Sequence, residues 1–184
     1  MIIQETNLDG VLLVNPTIHQ DERGYFFESF RDEYFKNVSL SGKFTQDNQT
    51  KSNKDTLRGL HYQLNHPQGK LVRVSLGEVF DVAVDIRKNS PTFGKYYGTI
   101  LSDINHMQMY VPPGFAHGYI VRSEIAIFQY KCTDVYHPED EYGIRWDDPE
   151  LSIDWKISNP IISNRDLELP LLSNQTNLPN YNSK

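Results

Sequence analysis

The chain has 184 residues, of which 38% are hydrophobic, 12% aromatic and 23% charged, a balance that fits one globular domain and excludes disordered, collagen-like and coiled-coil classes. A net charge of −6 excludes broad non-specific nucleic-acid binding, which needs a basic surface, but leaves room for a small anion held by a few local cations. No apolar run approaches the ~18 residues of a membrane span, and the single cysteine, Cys132, excludes an internal disulfide and a cysteine-based zinc cluster.

Met1 to Pro16 lacks a basic stretch ahead of an uninterrupted apolar run and does not read as a signal peptide, so a cytoplasmic protein is expected. Asp32–Asn37 has room for a turn or two of helix. From Lys70 onward, period-two alternation predicts half-buried strands. Val72, Val74 and Leu76 share one face. In the run Val79 to Arg87, Phe80, Val82, Val84 and Ile86 lie together, with Asp81, Ala83, Asp85 and Arg87 opposite. Gly77-Glu78 between these runs reads as a hairpin turn. Further strands are expected at Gly98–Leu101, Met107–Val111, Gly118–Val121 and Ile125–Cys132, separated by Asn89-Ser90-Pro91, Asn105-His106 and Pro112-Pro113-Gly114. Asp147-Asp148-Pro149-Glu150 before Leu151 looks like a helix start or a turn. Ser173 to Lys184 is rich in Asn and Ser and reads as a loose tail or a surface strap, which leaves one domain over residues 1–172 and a polar tail over 173–184. Many closely spaced strands mean an all-β sandwich or barrel with little helix. There is no Gly-x-Gly-x-x-Gly and no Walker A loop, so nothing suggests bound nicotinamide or hydrolysed nucleotide.

Three polar clusters interrupt the strands: Asp21-Glu22-Arg23-Gly24-Tyr25-Phe26-Phe27-Glu28, then Gln46-Asp47-Asn48 leading to Leu57–Gln63, and Pro112–Gly118. Such groups are expensive to bury without a reason. Arg58 and His61 lie within three residues on an expected strand, beside Gly59, which permits close approach of a ligand. A histidine next to a cation stays neutral, as a general base should; the alternative is a satisfied core histidine and a structural arginine. Cys132 reads as packing. Asp81 and Asp85 either orient a catalytic group or, more simply, pair with Arg73 or Arg87.

Pro112, Gly114 and His117 form a Pro-x-Gly-x-x-His spacing that resembles the second signature of the cupin superfamily, small antiparallel jelly-roll barrels, many of which hold a metal through His-x-His, a glutamate and this third histidine. The first site here reads His61-Tyr62-Gln63, and a glutamine replaces imidazole poorly as a ligand, so no metal or other cofactor is expected.

Taken together, Asp21-Glu22-Arg23-Gly24 with Phe26 and Glu28, Gln46-Asp47-Asn48, Leu57-Arg58-Gly59-Leu60-His61, Gln68–Arg73, Gly77–Arg87, Pro91-Thr92-Phe93-Gly94, Pro113–Gly118 and Tyr130-Lys131 resemble the dTDP-4-dehydrorhamnose 3,5-epimerases, in order and over nearly the whole chain to about Leu172. The resemblance implies a cupin-type antiparallel jelly-roll with a few short helices and epimerisation at C3 and C5 of a dTDP-4-keto-6-deoxyhexose, giving dTDP-4-keto-L-rhamnose. It also implies His61 as base, Tyr130 as acid on the opposite face, Lys70 as the cation near the enolate oxygen and Asp166 as partner of the histidine. By the same resemblance Arg23, Arg58 and Arg165 surround phosphate, Glu28, Gln46 and Asn48 contact the nucleoside or diphosphate end, and His117 and Glu141 complete the pocket. Phe26 is a candidate base-stacking platform. Arg165 stands where the family more usually has lysine. A homodimer with exchanged N-terminal strands is implied too, carrying Arg23, Phe26 and Glu28 to the partner's pocket. The competing readings are a C3-only epimerase or 3,4-ketoisomerase of the same substrate class, and a non-catalytic sugar-nucleotide-binding jelly-roll.

Overall fold

The computed structural model describes residues 1–35 and 42–181. Within them the strands are β1 (Ile2–Glu5), β2 (Leu12–Asn15), β3 (His19–Asp21), β4 (Gly24–Phe26), β5 (Gln46–Asn53), β6 (Leu57–Gln63), β7 (Lys70–Leu76), β8 (Glu78–Asp85), β9 (Tyr96–Ser102), β10 (Gln108–Val111), β11 (Phe115–Val121), β12 (Ile125–Cys132) and β13 (Glu141–Gly143). They form a six-stranded sheet in the order β1-β2-β10-β7-β12-β5, a five-stranded sheet in the order β13-β6-β11-β8-β9, and a small β3-β4 ribbon. Neighbouring strands pair antiparallel throughout, as the expected jelly-roll requires.

The two large sheets face each other across a core that includes Val72, Val74, Met109 and Phe128 from one and Val79, Ala83, Leu101 and Phe115 from the other. The outer face of the five-stranded sheet is not wet. Val82, Val84 and Ile86 pack there with Leu57, Leu60 and Ile120, beneath Ile144, Leu151, Trp155 and Leu172 of the C-terminal segment, with Phe80 at the margin. β8 is therefore buried on both faces, which explains why its sequence is apolar at Ala83 as well as at the alternating positions.

Gly77-Glu78 is not a hairpin turn. β7 pairs with β10 and β12, whereas β8 pairs with β11 and β9, so the chain passes from one sheet to the other at this point. Gly77 adopts φ +80°, and an added Cβ would run into the Ile125 carbonyl and the Ser123 hydroxyl. Alternation reports which way side chains point and says nothing about which strand lies alongside. Leu76, expected on the face of Val72 and Val74, is 46% exposed, because the β7–β12 register shifts between Ile127 and Phe128.

β5 has no apolar residue. Its less exposed positions are Gln46, Asn48, Thr50 and Ser52, every second residue, so it is a regular strand whose inward face meets a polar cavity instead of the core. Among the described residues it pairs only with β12 and ends its sheet.

The remaining structure is short. A 3-10 turn covers Asp32–Phe35; the last two residues of the helix expected at Asp32–Asn37 lie outside the described residues. Asp147–Leu151 is a turn in which buried Asp148 accepts hydrogen bonds from the backbone N–H of Glu150 (2.8 Å) and Leu172 (2.5 Å). The one α-helical turn among the described residues, α1 (Asn164–Leu167), begins at Ser163, whose hydroxyl caps the Asp166 N–H. Residues 173–181 lie against the barrel. The Tyr62 hydroxyl donates to the Asn177 carbonyl at 2.7 Å, Lys88 N–H to Pro179, and Tyr181 N–H to Lys88. No helix among the described residues is long and apolar enough to cross a membrane.

Candidate active site

A cavity of about 610 Å³ opens between the sheets at one end of the barrel. The six-stranded sheet contributes Gln46, Asn48 and Thr50 from β5, Lys70 from β7, and Phe128 and Tyr130 from β12. The five-stranded sheet contributes Arg58 and His61 from β6, His117 and Tyr119 from β11, and Glu141 from β13, and the segment 161–166 closes one side.

His61 is built in by a close approach of strands. At Gly59, φ +122°, an added Cβ would stand 2.5 Å from Gly118 Cα and 2.7 Å from the His117 carbonyl. Only glycine lets β6 lie this near β11. The freed Gly59 N–H reaches Asp166 Oδ2 at 3.3 Å, and Asp166 Oδ1 lies 2.7 Å from His61 Nε2. The α1 turn thus brings a carboxylate 105 residues away in sequence onto the imidazole. Burial works against charge on Asp166, but the bond and charge of His61, the Gly59 N–H and Ser163 together hold it below the usual carboxylate range. An ionised Asp166 can only accept, so the neutral imidazole carries its proton on Nε2 and keeps the Nδ1 lone pair free. That nitrogen faces Glu141 Oε1 at 3.9 Å.

Glu141 receives the Tyr136 hydroxyl at 2.5 Å and an ion pair from Arg165. Against the effect of burial, Tyr136, His61 and Arg165 hold it below the usual range. Lys70 is pushed down by burial, partly offset by Cys132, Glu141 and Asp81; no salt bridge ties it among the described residues. Such an ammonium gains most from a negative charge developing nearby. Tyr130, between Asn48 and Val72 in the ladder, is pushed by burial up to about 12. It holds its proton at neutral pH and is able to donate it.

Gln46 and Asn48 are tied into a chain. Gln46 accepts the Tyr136 backbone N–H at 2.9 Å and donates to Asn48 Oδ1 at 3.0 Å, and Asn48 donates to the Cys132 sulfur at 3.7 Å. Cys132 is buried, as packing requires, and burial raises its thiol. Asp81 does not pair with an arginine. Fully buried on β8, it accepts from His117 Nε2 at 3.0 and 3.1 Å, so it orients a cavity residue. Asp85 does pair with Arg87, at 2.7 Å. Gln63 donates to the His66 carbonyl at 2.7 Å and accepts the His137 N–H at 2.8 Å, which commits both ends of its amide.

The structure brings His61, Lys70, Tyr130, Asp166, Gln46, Asn48, Arg58, His117, Glu141 and Arg165 to one cavity. It does not bring Arg23, Phe26 and Glu28 there. Arg23 is bound to Asp21 with its side chain 85% exposed, Phe26 is 66% exposed, and Glu28 pairs with Arg31 and Tyr34. The polar cavity residues that no sequence motif marks include Tyr119 and Tyr136. Tyr119 was detectable, two positions beyond His117 on one strand and so on the same face. Tyr136 sits in a loop, held by Gln46, and has no periodicity to mark it.

The family model described as dTDP-4-dehydrorhamnose 3,5-epimerase matches residues 5–174. A protein of that name from Methanothermobacter thermautotrophicus is 50% identical over 165 residues, covering 88% of this chain and 89% of that one. One from Escherichia coli is 47% identical over 172 residues, 92% and 93% of the two chains. A crystal structure of the dTDP-6-deoxy-D-glucose-3,5-epimerase of Legionella pneumophila in complex with dTDP-4-keto-L-rhamnose superposes with a TM-score of 0.95 at 48% identity, covering 99% of each chain. A 3'-monoepimerase from Streptomyces bikiniensis, in complex with dTDP-quinovose, also shares the fold, with a TM-score of 0.90 at 29% identity over 96% of this chain and 92% of that one. With a barrel, a histidine–carboxylate pair and a facing tyrosine already in hand, these matches show that the chain belongs to the dTDP-4-dehydrorhamnose 3,5-epimerase family.

Proposed function

We propose that the protein converts dTDP-4-keto-6-deoxy-D-glucose to dTDP-4-keto-L-rhamnose by inverting C3 and C5. Both hydrogens are adjacent to the C4 ketone, so removing either gives an enolate. In this reading the free Nδ1 of His61 takes the proton, and the imidazolium that results is stabilised by Asp166. Lys70 stabilises the enolate oxygen, and Tyr130 returns a proton to the other face. Arg58 and Arg165 serve the phosphates of the substrate, Gln46 and Asn48 its nucleoside or diphosphate end, and His117 and Glu141 complete the pocket. The observation that carries the reading is that His61 and Tyr130 stand on different sheets and face one cavity, the arrangement that removal on one face and delivery on the other demands. The Legionella relative at 48% identity, with dTDP-4-keto-L-rhamnose bound, supports the choice of substrate.

Arg23, Phe26 and Glu28 enter through a second copy of the chain. The exposed β3–β4 ribbon and the open edge of β5, next to Gln46 and Asn48, support a homodimer in which the N-terminal strands are exchanged. The proposal needs no metal, since Gln63, at the second ligand position of the cupin pattern, spends its amide on the backbone. It places the enzyme in the cytoplasm, in keeping with a single buried thiol. Solvent-deuterium incorporation tests the reaction. Two labelled carbons are expected; one would mean a single epimerisation, and none would leave a binding module.

A further inference from the structure

We propose that Ser52 is a positioning residue for Arg58, aiming the outer edge of its guanidinium at the substrate diphosphate. This rests on the reading of Arg58 as a phosphate ligand and adds the group that directs it. Ser52 faces inward from β5 and is 5% exposed, and its Oγ accepts Arg58 Nε–H at 3.2 Å. Nε has one hydrogen, so this bond occupies it and leaves Nη1 and Nη2, which meet no hydrogen bond or salt bridge among the described residues. Because the guanidinium is planar, fixing Nε–H also fixes the plane of the remaining fork, which is the edge that binds phosphate in paired fashion.

Arginine only donates, so Ser52 accepts from it. Two residues back along β5, Thr50 Oγ1 lies 2.8 Å from the Tyr119 hydroxyl. Tyr119 is firmly held. It is 4% exposed, stacked on Phe128 with ring centroids 4.1 Å apart, and opposite Arg58 in the β6–β11 register. Ser52 and Thr50 belong to one sheet and Arg58 with Tyr119 to the other, so two separate hydrogen bonds tie the sheets together beside Arg58. Arg58 is itself exposed. Without this tether its side chain would lose rotamer freedom only when substrate binds, and affinity would fall accordingly.

The test titrates dTDP and thymidine calorimetrically against wild type, Ser52→Ala, Ser52→Thr, Arg58→Ala and the double Ala variant. Ser52→Ala is expected to weaken dTDP about tenfold, the value of one hydrogen bond to a charged group, and to leave thymidine binding unchanged. KM for the nucleotide sugar rises in step while kcat stays within about twofold, and Ser52→Thr, which keeps the hydroxyl, restores both. Arg58→Ala weakens dTDP further, and adding Ser52→Ala to it costs nothing more. If Arg58→Ala loses dTDP affinity and Ser52→Ala does not, the positioning role is overturned and the phosphate reading stands. If Arg58→Ala binds dTDP like wild type, the phosphate reading falls, and the proposal with it. An additive loss in the double variant also overturns it. Should Ser52→Ala fail to fold, Ser52→Cys keeps a side chain of similar size whose sulfur accepts only weakly. A several-fold loss for dTDP alone is then expected, and no loss overturns the positioning role.

Discussion

Replacing Asp166 by Asn tests the histidine–carboxylate pair with almost no change of volume. The carboxylate sits 2.7 Å from His61 Nε2 and 3.3 Å from the Gly59 N–H and is 4% exposed, so water cannot take its place. An asparagine that satisfies the Gly59 N–H with its oxygen turns its NH₂ toward the imidazole. Nε2 must then accept, the ring proton moves to Nδ1, and the free lone pair that faces the cavity is lost. In the other rotamer the tautomer survives, but the imidazolium formed on proton removal lacks a charge-assisted bond worth about 1.5–3 kcal/mol, or about 10- to 150-fold in rate. Comparable replacement in serine-protease triads, where the tautomer is lost, costs about 10⁴-fold. We therefore expect kcat to fall about 10- to 10⁴-fold according to the rotamer adopted, with KM for the nucleotide sugar within about threefold, because Asp166 acts through His61 and not on the anionic end. Steady-state kinetics coupled to a reductase, with deuterium wash-in as a second readout, measures both. A variant that keeps wild-type kcat with a wild-type fold would refute the assignment of His61 as a base oriented by Asp166.

Four further outcomes are expected. Asp166 and Glu141 are both held below the usual carboxylate range in the fold, so they add stability that is present above the unfolded values, about 4, and lost as pH falls through the folded ones. The wild-type melting temperature should drop more steeply below pH 4 than that of Asp166→Asn, and parallel curves would contradict this. Tyr130→Phe removes a phenol that burial keeps protonated and leaves the ring. In deuterated water it should label C5 with retained configuration and form far less inverted sugar, whereas inversion at the wild-type rate would exclude Tyr130 as the acid. Mixing inactive Arg23→Ala and His61→Ala chains should recover part of the activity, since one site of each heterodimer is intact; no recovery despite demonstrated subunit exchange would argue against a shared site. Activity should survive exhaustive chelation, and loss reversed by a divalent ion would overturn the metal-free reading.

The strand positions of β7, β8, β11 and β12 were legible because a pleated strand in a half-buried sheet repeats every two residues, and Val72, Val74, Val82, Val84 and Ile86 follow that repeat. Glycine at Gly59 beside Arg58 and His61 was legible as a place of close approach, and the motif order was enough to name the family. β5 was not, since Gln46–Asn53 carries no apolar residue and its inward face is polar only because it lines a cavity whose existence depends on the opposite sheet. Nor was the passage at Gly77, because alternation encodes the direction of side chains and not the identity of the neighbouring strand. The pairing of Asp81 with His117 had the same obscurity: an arginine nearby in sequence was the simpler partner, but β8 and β11 turn these two side chains toward each other. Above all, residue 166 meets residue 61 only after the C-terminal segment has folded back over the outer face of the five-stranded sheet. Local chemistry selects which residues are able to act; contacts between distant residues decide which of them share a cavity, because they follow from how the sheets pack and not from spacing along the chain.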